Sequence, residues 1–542
     1  MTRRLILLLV LLATLACGAQ PTEPAPVVER QATLSPTSTP QPSPVLTPTL
    51  DPQDVRGADG AGRWYPADPD RLRKAVEAYL DQAEVNELPG QLRAVIVPHA
   101  GYLYSGAVAA HSFRVLQDSG CSGCSIAVIG DTHTGNGLAD IAVWAGGAFE
   151  TPLGRVGVDA EVARAVVEAD PRIEFDRAAF SSEHPVENQL PFIQIACPGA
   201  KIVPIVIRQP SLANAQTLAD ALVGAFGERR VLIVASTDLS HYHPYDEARR
   251  IDEIALRAIV SLDPQAVIES TRSSAELGIR SVTSTMCSQG SVLTAMLASQ
   301  KMGANRATVL NYANSGDSPI GDRAGVVGYG AVAIWQADDS AENQTNFSLD
   351  PSQPEFDGPV TLSPEAQQEL LVLARRSAAQ FLSSETFPGF RTDDPSLLQP
   401  LGAYVTYEKE GLLRGCLGRV ESDRPVYLGV QYAAAAAAVA DPRFHPVTLR
   451  ELESLSMEIT LLHPIREVDD PAEIEIGRHG VLMRVGQEQS ALYLPQVAVQ
   501  QGWDLEETLA HLCLKAELPE DAWQGEDARF WVFEGQSFGE ED

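Results

Sequence analysis

The chain has 542 residues and ten histidines, five of which stand in short polar motifs within one stretch. His99 lies in Pro98-His99-Ala100-Gly101-Tyr102, and His133 closes Gly130-Asp131-Thr132-His133. His184 opens His184-Pro185-Val186-Glu187-Asn188-Gln189-Leu190-Pro191 just after Glu183. His241 and His243 end the run Ser236-Thr237-Asp238-Leu239-Ser240-His241-Tyr242-His243. Imidazole is the commonest metal ligand and the usual acid or base near neutral pH. Any one of these rings could be a hydrogen-bonded structural residue. As a set, with Asp238 among them, they predict a shared site.

Such a site needs elements that bring distant motifs together. Apolar runs at 94–97, 125–129, 202–207 and 231–235 are short and rich in Val and Ile, without alternation. That is the pattern of strands buried on both faces of a largely parallel sheet. Helical patterns at 70–83, 159–169 and 212–226 lie between them. The alternation predicts a layered α/β domain over residues 55–337. Three of the runs lead straight into the motifs of His99, His133 and Asp238, and open α/β sheets bind ligands outside the carboxyl ends of their strands.

Taken in order, these motifs resemble the Memo family. The resemblance rests on Gly62-Arg63-Trp64-Tyr65-Pro66, the His99, His133 and His184 motifs, Thr237-Asp238-Leu239-Ser240-His241, and Thr285-Met286-Cys287. Tyr312-Ala313-Asn314-Ser315-Gly316-Asp317 is similar to the family's C-terminal motif. The fold implied is that of class III extradiol dioxygenases (LigB-like), whose iron is held by two His and a carboxylate. The resemblance makes His99, His133 and Cys287 the metal ligands, with Asp238 and His241 lining the pocket. His241 or His184 would serve as the acid or base, and Asp238 would orient a neighbour. A thiol in place of a carboxylate softens the donor set, favouring one iron or copper ion, or zinc, over magnesium or calcium. For Cys287 the plainer reading is a buried thiol.

A polar stretch at 338–360 reads as a linker, and beyond it the pattern changes. One helix is expected at 364–382, strands at 403–407, 457–462 and 480–484, and helices around 433–438 and 505–516, an α+β order over 361–540. Leu413-Arg414-Gly415-Cys416-Leu417-Gly418, Asp441-Pro442-Arg443-Phe444, Leu492-Tyr493-Leu494-Pro495-Gln496-Val497 and Gly502-Trp503-Asp504 resemble the AMMECR family. Gly415 and Gly418 read as turn glycines. Cys416 reads as a buried thiol, with a second site at Arg414 and Cys416 as the sharper alternative and His445 as the nearest downstream partner. The pair of domains is similar to proteins B and A of the AmmeMemoRadiSam system, which implies a functional link to a radical S-adenosylmethionine protein.

The chain opens with Arg3-Arg4, an apolar run at 5–12, and Thr14-Leu15-Ala16-Cys17. This resembles a lipoprotein signal peptide over residues 1–17, with Cys17 carrying the lipid (palmitate or a related acyl chain). An ordinary secretory signal cleaved near Ala16 is the alternative. Residues 18–54 are crowded with Pro, Thr and Ser and read as a disordered tether. The expected place is the extracytoplasmic face of the cell membrane, held by the lipid anchor. Cys121 and Cys124 are the one close cysteine pair, read as a small disulfide, with redox or metal roles as alternatives. A formal net charge of -32 argues against nucleic acid as a partner. The function read from these features is a metal-dependent, dioxygenase-like oxidoreductase acting on a small molecule or peptide. A surface module that binds metal or peptide without turnover is the alternative.

Overall fold

Strand and helix boundaries follow the apolar pattern closely. In a computed structural model, residues 54–337 and 361–540 are described, together with 349 and except for 228, 280–281, 421, 464, 487–488 and 526. Cys17, the tether and most of the linker lie outside the described residues. No described helix is long and apolar enough to cross a membrane.

The four apolar runs become strands Gly90–Val97, Ser125–Asp131, Lys201–Ile207 and Val231–Ser236. They lie side by side and parallel in the centre of a nine-stranded sheet, in the order 90–97, 231–236, 125–131, 201–207. Residues 94–97, 126–131, 202–207 and 231–236 are buried throughout, which explains why these strands read as unbroken apolar runs. Antiparallel strands flank this core, Val326–Ala337 on one side and Ile141–Val143 on the other. Because the central strands are parallel, their carboxyl ends share one edge.

The expected helices form at Pro69–Gln82, Ala160–Ala169 and Leu212–Phe226. Asp68, Asp159 and Ser211 each cap one of them by accepting a backbone N–H of the first turn.

The second lobe is α+β, as expected. Strands Gly402–Lys409, Leu412–Arg419, Ser456–Leu462 and Gly535–Gly539 form one antiparallel sheet, and a second four-stranded sheet includes Gly480–Val485 and Ala528–Phe533. Helix Val426–Val439 packs its alanine face on the first sheet. Here one expectation is corrected. Gly415 and Gly418 are not turn residues but sit inside strand Leu412–Arg419. A β-carbon at Gly415 would stand 2.4 Å from the carbonyl oxygen of Ala437, and one at Gly418 2.0 Å from that of Ala403, so close backbone approach excludes any side chain.

Residues 51–542 cluster as one compact unit. Arg424 of the second lobe is fully buried and donates to the carbonyls of Ser318 (2.8 Å) and Pro319 (3.3 Å), just after the Tyr312–Asp317 motif. Arg71 and Glu385 pair across the same junction at 2.6 Å.

The expected Cys121–Cys124 bridge is also corrected. Cys121 pairs with Cys197, and Cys124 is a free, half-buried thiol. The pairing follows from the sheet: Cys121 precedes strand Ser125–Asp131, Cys197 precedes Lys201–Ile207, and those strands are neighbours. The bond closes a separation of 76 residues, which by chain entropy alone is about 4 kcal/mol of stabilisation. Non-reducing peptide mapping should therefore recover Cys121 joined to Cys197, with Cys124 open to alkylation after denaturation. Replacing both bonded cysteines with Ser should lower unfolding stability by a few kcal/mol.

Candidate metal centre

Three of the four central strands deliver their last residues to the shared edge. Gly90–Val97 ends at Pro98-His99, Ser125–Asp131 at Thr132-His133, and Val231–Ser236 at Thr237-Asp238. His184 arrives from the loop before helix Leu190–Ala196. One ring nitrogen from each of His99, His133 and His184 lies within 4.8 Å of the other two. The rings meet edge to face, with centroids 4.9 Å apart for His99 and His133 and 5.2 Å for His99 and His184.

Hydrogen bonds fix which nitrogen is free. Ser236 Oγ gives its hydrogen to the carbonyl of Pro185 at 2.7 Å, so toward His99 Nδ1, at 2.9 Å, it acts as acceptor. His99 Nδ1 is therefore the protonated nitrogen and Nε2 carries the lone pair. His133 Nδ1 lies 3.0 Å from the carbonyl of Asp131, which again leaves Nε2 free. Burial, with the charges of His133 and His241 nearby, holds the His99 imidazole well below its usual range. Burial, with His99 and His133 beside it, pushes His184 down to about 2. Both rings are thus neutral at physiological pH, the state in which imidazole binds a metal.

Cys287 also reaches His99. Its Sγ is 3.2 Å from His99 Nε2 and accepts the Asp238 N–H, also at 3.2 Å. Burial and the Asp238 carboxylate push the thiol up to about 12, so without a metal it remains protonated. Asp238 accepts the backbone N–H groups of His99 (2.7 Å) and Ala100 (3.3 Å), and therefore orients the loop more than the ring. His241 is half-buried, with Nδ1 2.9 Å from the carbonyl of Leu239, and it stands outside the three-imidazole group.

His184, expected with His241 as the acid or base, thus belongs to the group of three imidazoles that could hold a metal ion. Its ring stacks on Trp64 at 4.6 Å, with only 12° between the planes.

The motif around His184 does more than its histidine suggested. Glu183 is buried and accepts from Thr132 Oγ1 (2.6 Å), His133 N (2.8 Å), Thr134 N (2.8 Å) and Thr134 Oγ1 (2.8 Å). Glu187, also buried, binds Arg56 at 2.5 Å and accepts from Gly60 N and Tyr65 Oη, holding the segment that carries Trp64. Asn188 donates to the His99 carbonyl (2.6 Å), and Gln189 donates to the Pro98 carbonyl and to Ser236 Oγ. One motif therefore braces three loops. Asp131, two residues before His133, accepts from Gly290 N and Ser291 N at the start of helix Gln289–Lys301, tying that strand end to the turn that bears Cys287. Sequence reading missed these bracing roles. The one signal was the density of amide and carboxylate side chains beside an apolar helix, since such groups are buried only when paired.

Comparison with known proteins identifies the frame. The Memo-like protein profile matches residues 56–333 and the AMMECR1 profile residues 371–538. The chain belongs to the Memo family. It carries Memo-like and AMMECR1 domains in one polypeptide. A MEMO1 family protein of Methanopyrus kandleri is 37% identical over 284 residues, covering 51% of this chain and 96% of its own length. One from Methanothermobacter thermautotrophicus is 35% identical over 283 residues, covering 51% and 98%. Among solved structures, an uncharacterised Pyrococcus horikoshii protein is 36% identical, covering 33% of this chain and 94% of its own, with a TM-score of 0.32.

The second lobe's candidates stand apart. Arg414 is held by Glu451 at 2.8 and 2.9 Å. Cys416 is half-buried: Thr406 Oγ1 donates to its Sγ at 3.2 Å, and its N–H donates to Asp441 at 2.9 Å. Burial raises the Cys416 thiol, and His445 makes none of its hydrogen bonds among the described residues.

If Glu183 positions the His133 loop, Glu183→Gln should weaken metal binding about 10- to 100-fold while the circular dichroism spectrum stays that of the native fold. Competition against a chromophoric chelator reads the affinity, and an unchanged value would remove Glu183 from this role.

Proposed function

We propose that the Memo-like domain holds one transition metal ion, iron or copper, and uses it in oxidoreductase chemistry of the dioxygenase-like kind. The observation that supports this most is the group of three imidazoles at the strand ends, with His99 and His133 each offering a free Nε2. Neutral imidazoles with an adjoining thiol suit iron, copper or zinc and do not suit magnesium or calcium. His133 is the exposed member of the group, so the centre opens toward solvent, where a substrate could approach. Bound there, the metal would supply the redox chemistry.

The chain's own residues would do the rest. His99 and His133 would bind the ion, and Asp238 and Glu183 would keep their loops in register. Trp64, stacked on His184, would wall one side of the opening against water. His241 is the remaining imidazole close enough to influence His99, and it is our candidate for moving a proton to or from substrate. Cys17 and the Pro/Thr tract support the reading of a lipid-anchored protein on the extracytoplasmic face. The Cys121–Cys197 disulfide fits the same oxidising setting.

The test is elemental analysis of the full chain, solubilised in detergent and incubated with iron, copper or zinc. One metal per chain is expected, with loss of more than ten-fold in affinity in His99→Ala and His133→Ala. A wild type that takes up no metal would overturn the proposal. Oxygen consumption in the presence of a reductant and a catechol separates enzyme from binding module: uptake supports the enzyme, and stoichiometric metal with no uptake supports binding alone.

A further inference from the structure

The two lobes of the compact unit enclose a cavity of about 170 Å3 at their junction. Tyr104 and Asp317 line it from the first lobe, Phe390 and Tyr427 from the second. The cavity shares no residue with the three-imidazole group. Its three aromatic rings are half-buried, so each keeps part of its surface open. Phe390 and Tyr427 meet with centroids 5.0 Å apart and planes tilted by 45°, an angled wall rather than a closed stack. Beside these rings stands a carboxylate held by neutral donors. Asp317 Oδ1 accepts the Tyr245 hydroxyl at 2.6 Å, and Oδ2 accepts the backbone N–H of Asn314 at 2.9 Å. Arg249 and Arg323 lie over the Tyr245 ring at 5.5 and 4.0 Å, and no ion pair to Asp317 forms among the described residues. We propose that this cavity binds the head group of a methylated ammonium, with Tyr104, Phe390 and Tyr427 as its cage and Asp317 as the countercharge.

The chemistry of the walls selects this class. An aromatic face attracts a cation through the ring quadrupole, and quaternary ammonium groups are the ligands that such cages hold best. A primary ammonium is strongly hydrated and would need oxygen acceptors that three rings do not offer. The volume sets the size. Roughly 150 Å3 of enclosed space admits a benzene-sized guest, so this cavity suits a trimethylammonium head with a short stem. Anions are disfavoured by Asp317 and by the formal net charge of -32. Each lobe contributes only part of the cage, so binding also ties the lobes together.

Isothermal titration of the detergent-solubilised full chain, at fixed ionic strength and without added metal, tests the site. The probes are choline, free trimethyllysine, and the neutral tert-butyl isostere of choline, in which carbon replaces nitrogen. One saturable site per chain is expected for choline or trimethyllysine, and the tighter of the two names the source of the head group. The isostere should bind about ten-fold more weakly. Tyr427→Leu and Phe390→Leu should each weaken choline binding about ten-fold, whereas Tyr427→Phe, which keeps the ring face, should change it less than three-fold. Asp317→Asn, with the circular dichroism spectrum of the native fold, should bring choline down to the level of the isostere. Equal binding of choline and its isostere would overturn the proposal, as would no binding of either cation up to tens of millimolar. Unchanged affinity in both Leu variants would overturn the place assigned to the site at the junction.

Discussion

Bringing three imidazoles within 4.8 Å of one another out of water is costly if they are charged, because each imidazolium repels the next and loses its hydration. Burial accordingly holds the His99 and His184 rings below their usual range, toward the neutral form. Neighbours fix two of the tautomers: Ser236 and Pro185 settle His99, and the Asp131 carbonyl settles His133. Side chains prepared in this way would lose little freedom if a metal bound. The rest of the domain can be understood as the means of keeping them so.

Four parallel strands supply the geometry, since their carboxyl ends share one edge. The loops leaving those ends would be free to wander if strands alone held them. Glu183 gives the loop of His133 a buried partner, Asn188 and Gln189 do so for that of His99, Glu187 holds the segment of Trp64, and Asp131 extends the bracing to the turn of Cys287. Buried carboxylates of this kind are costly unless fully paired, and Glu183 accepts from four donor groups. The Cys121–Cys197 bond fastens the opposite ends of two of the same strands. The second lobe joins through Arg424, which contacts the carbonyls that follow the Tyr312–Asp317 motif.

Much of this frame was legible in the sequence. Buried parallel strands read as short unbroken apolar runs, and the motifs of His99, His133 and Asp238 follow them directly, so their convergence could be inferred. The bracing could not. Glu183 and His133 are 50 residues apart, and Asn188 and His99 are 89 apart, pairings that no local pattern encodes. Cys121 was matched to its nearest neighbour in sequence, but sheet order decided the partner. Gly415 and Gly418 were mistaken for turn residues because a glycine needed for backbone approach looks the same in sequence as one needed for a positive φ. His184 was expected, with His241, as the acid or base, and only the fold revealed that its ring lies beside those of His99 and His133.

The most direct test of a prepared imidazole centre is X-ray absorption fine structure of the full chain loaded with iron(II). The account predicts multiple-scattering features of about three histidine rings, in line with the group His99, His133 and His184. A coordination shell made of oxygen ligands, without imidazole scattering, would contradict it.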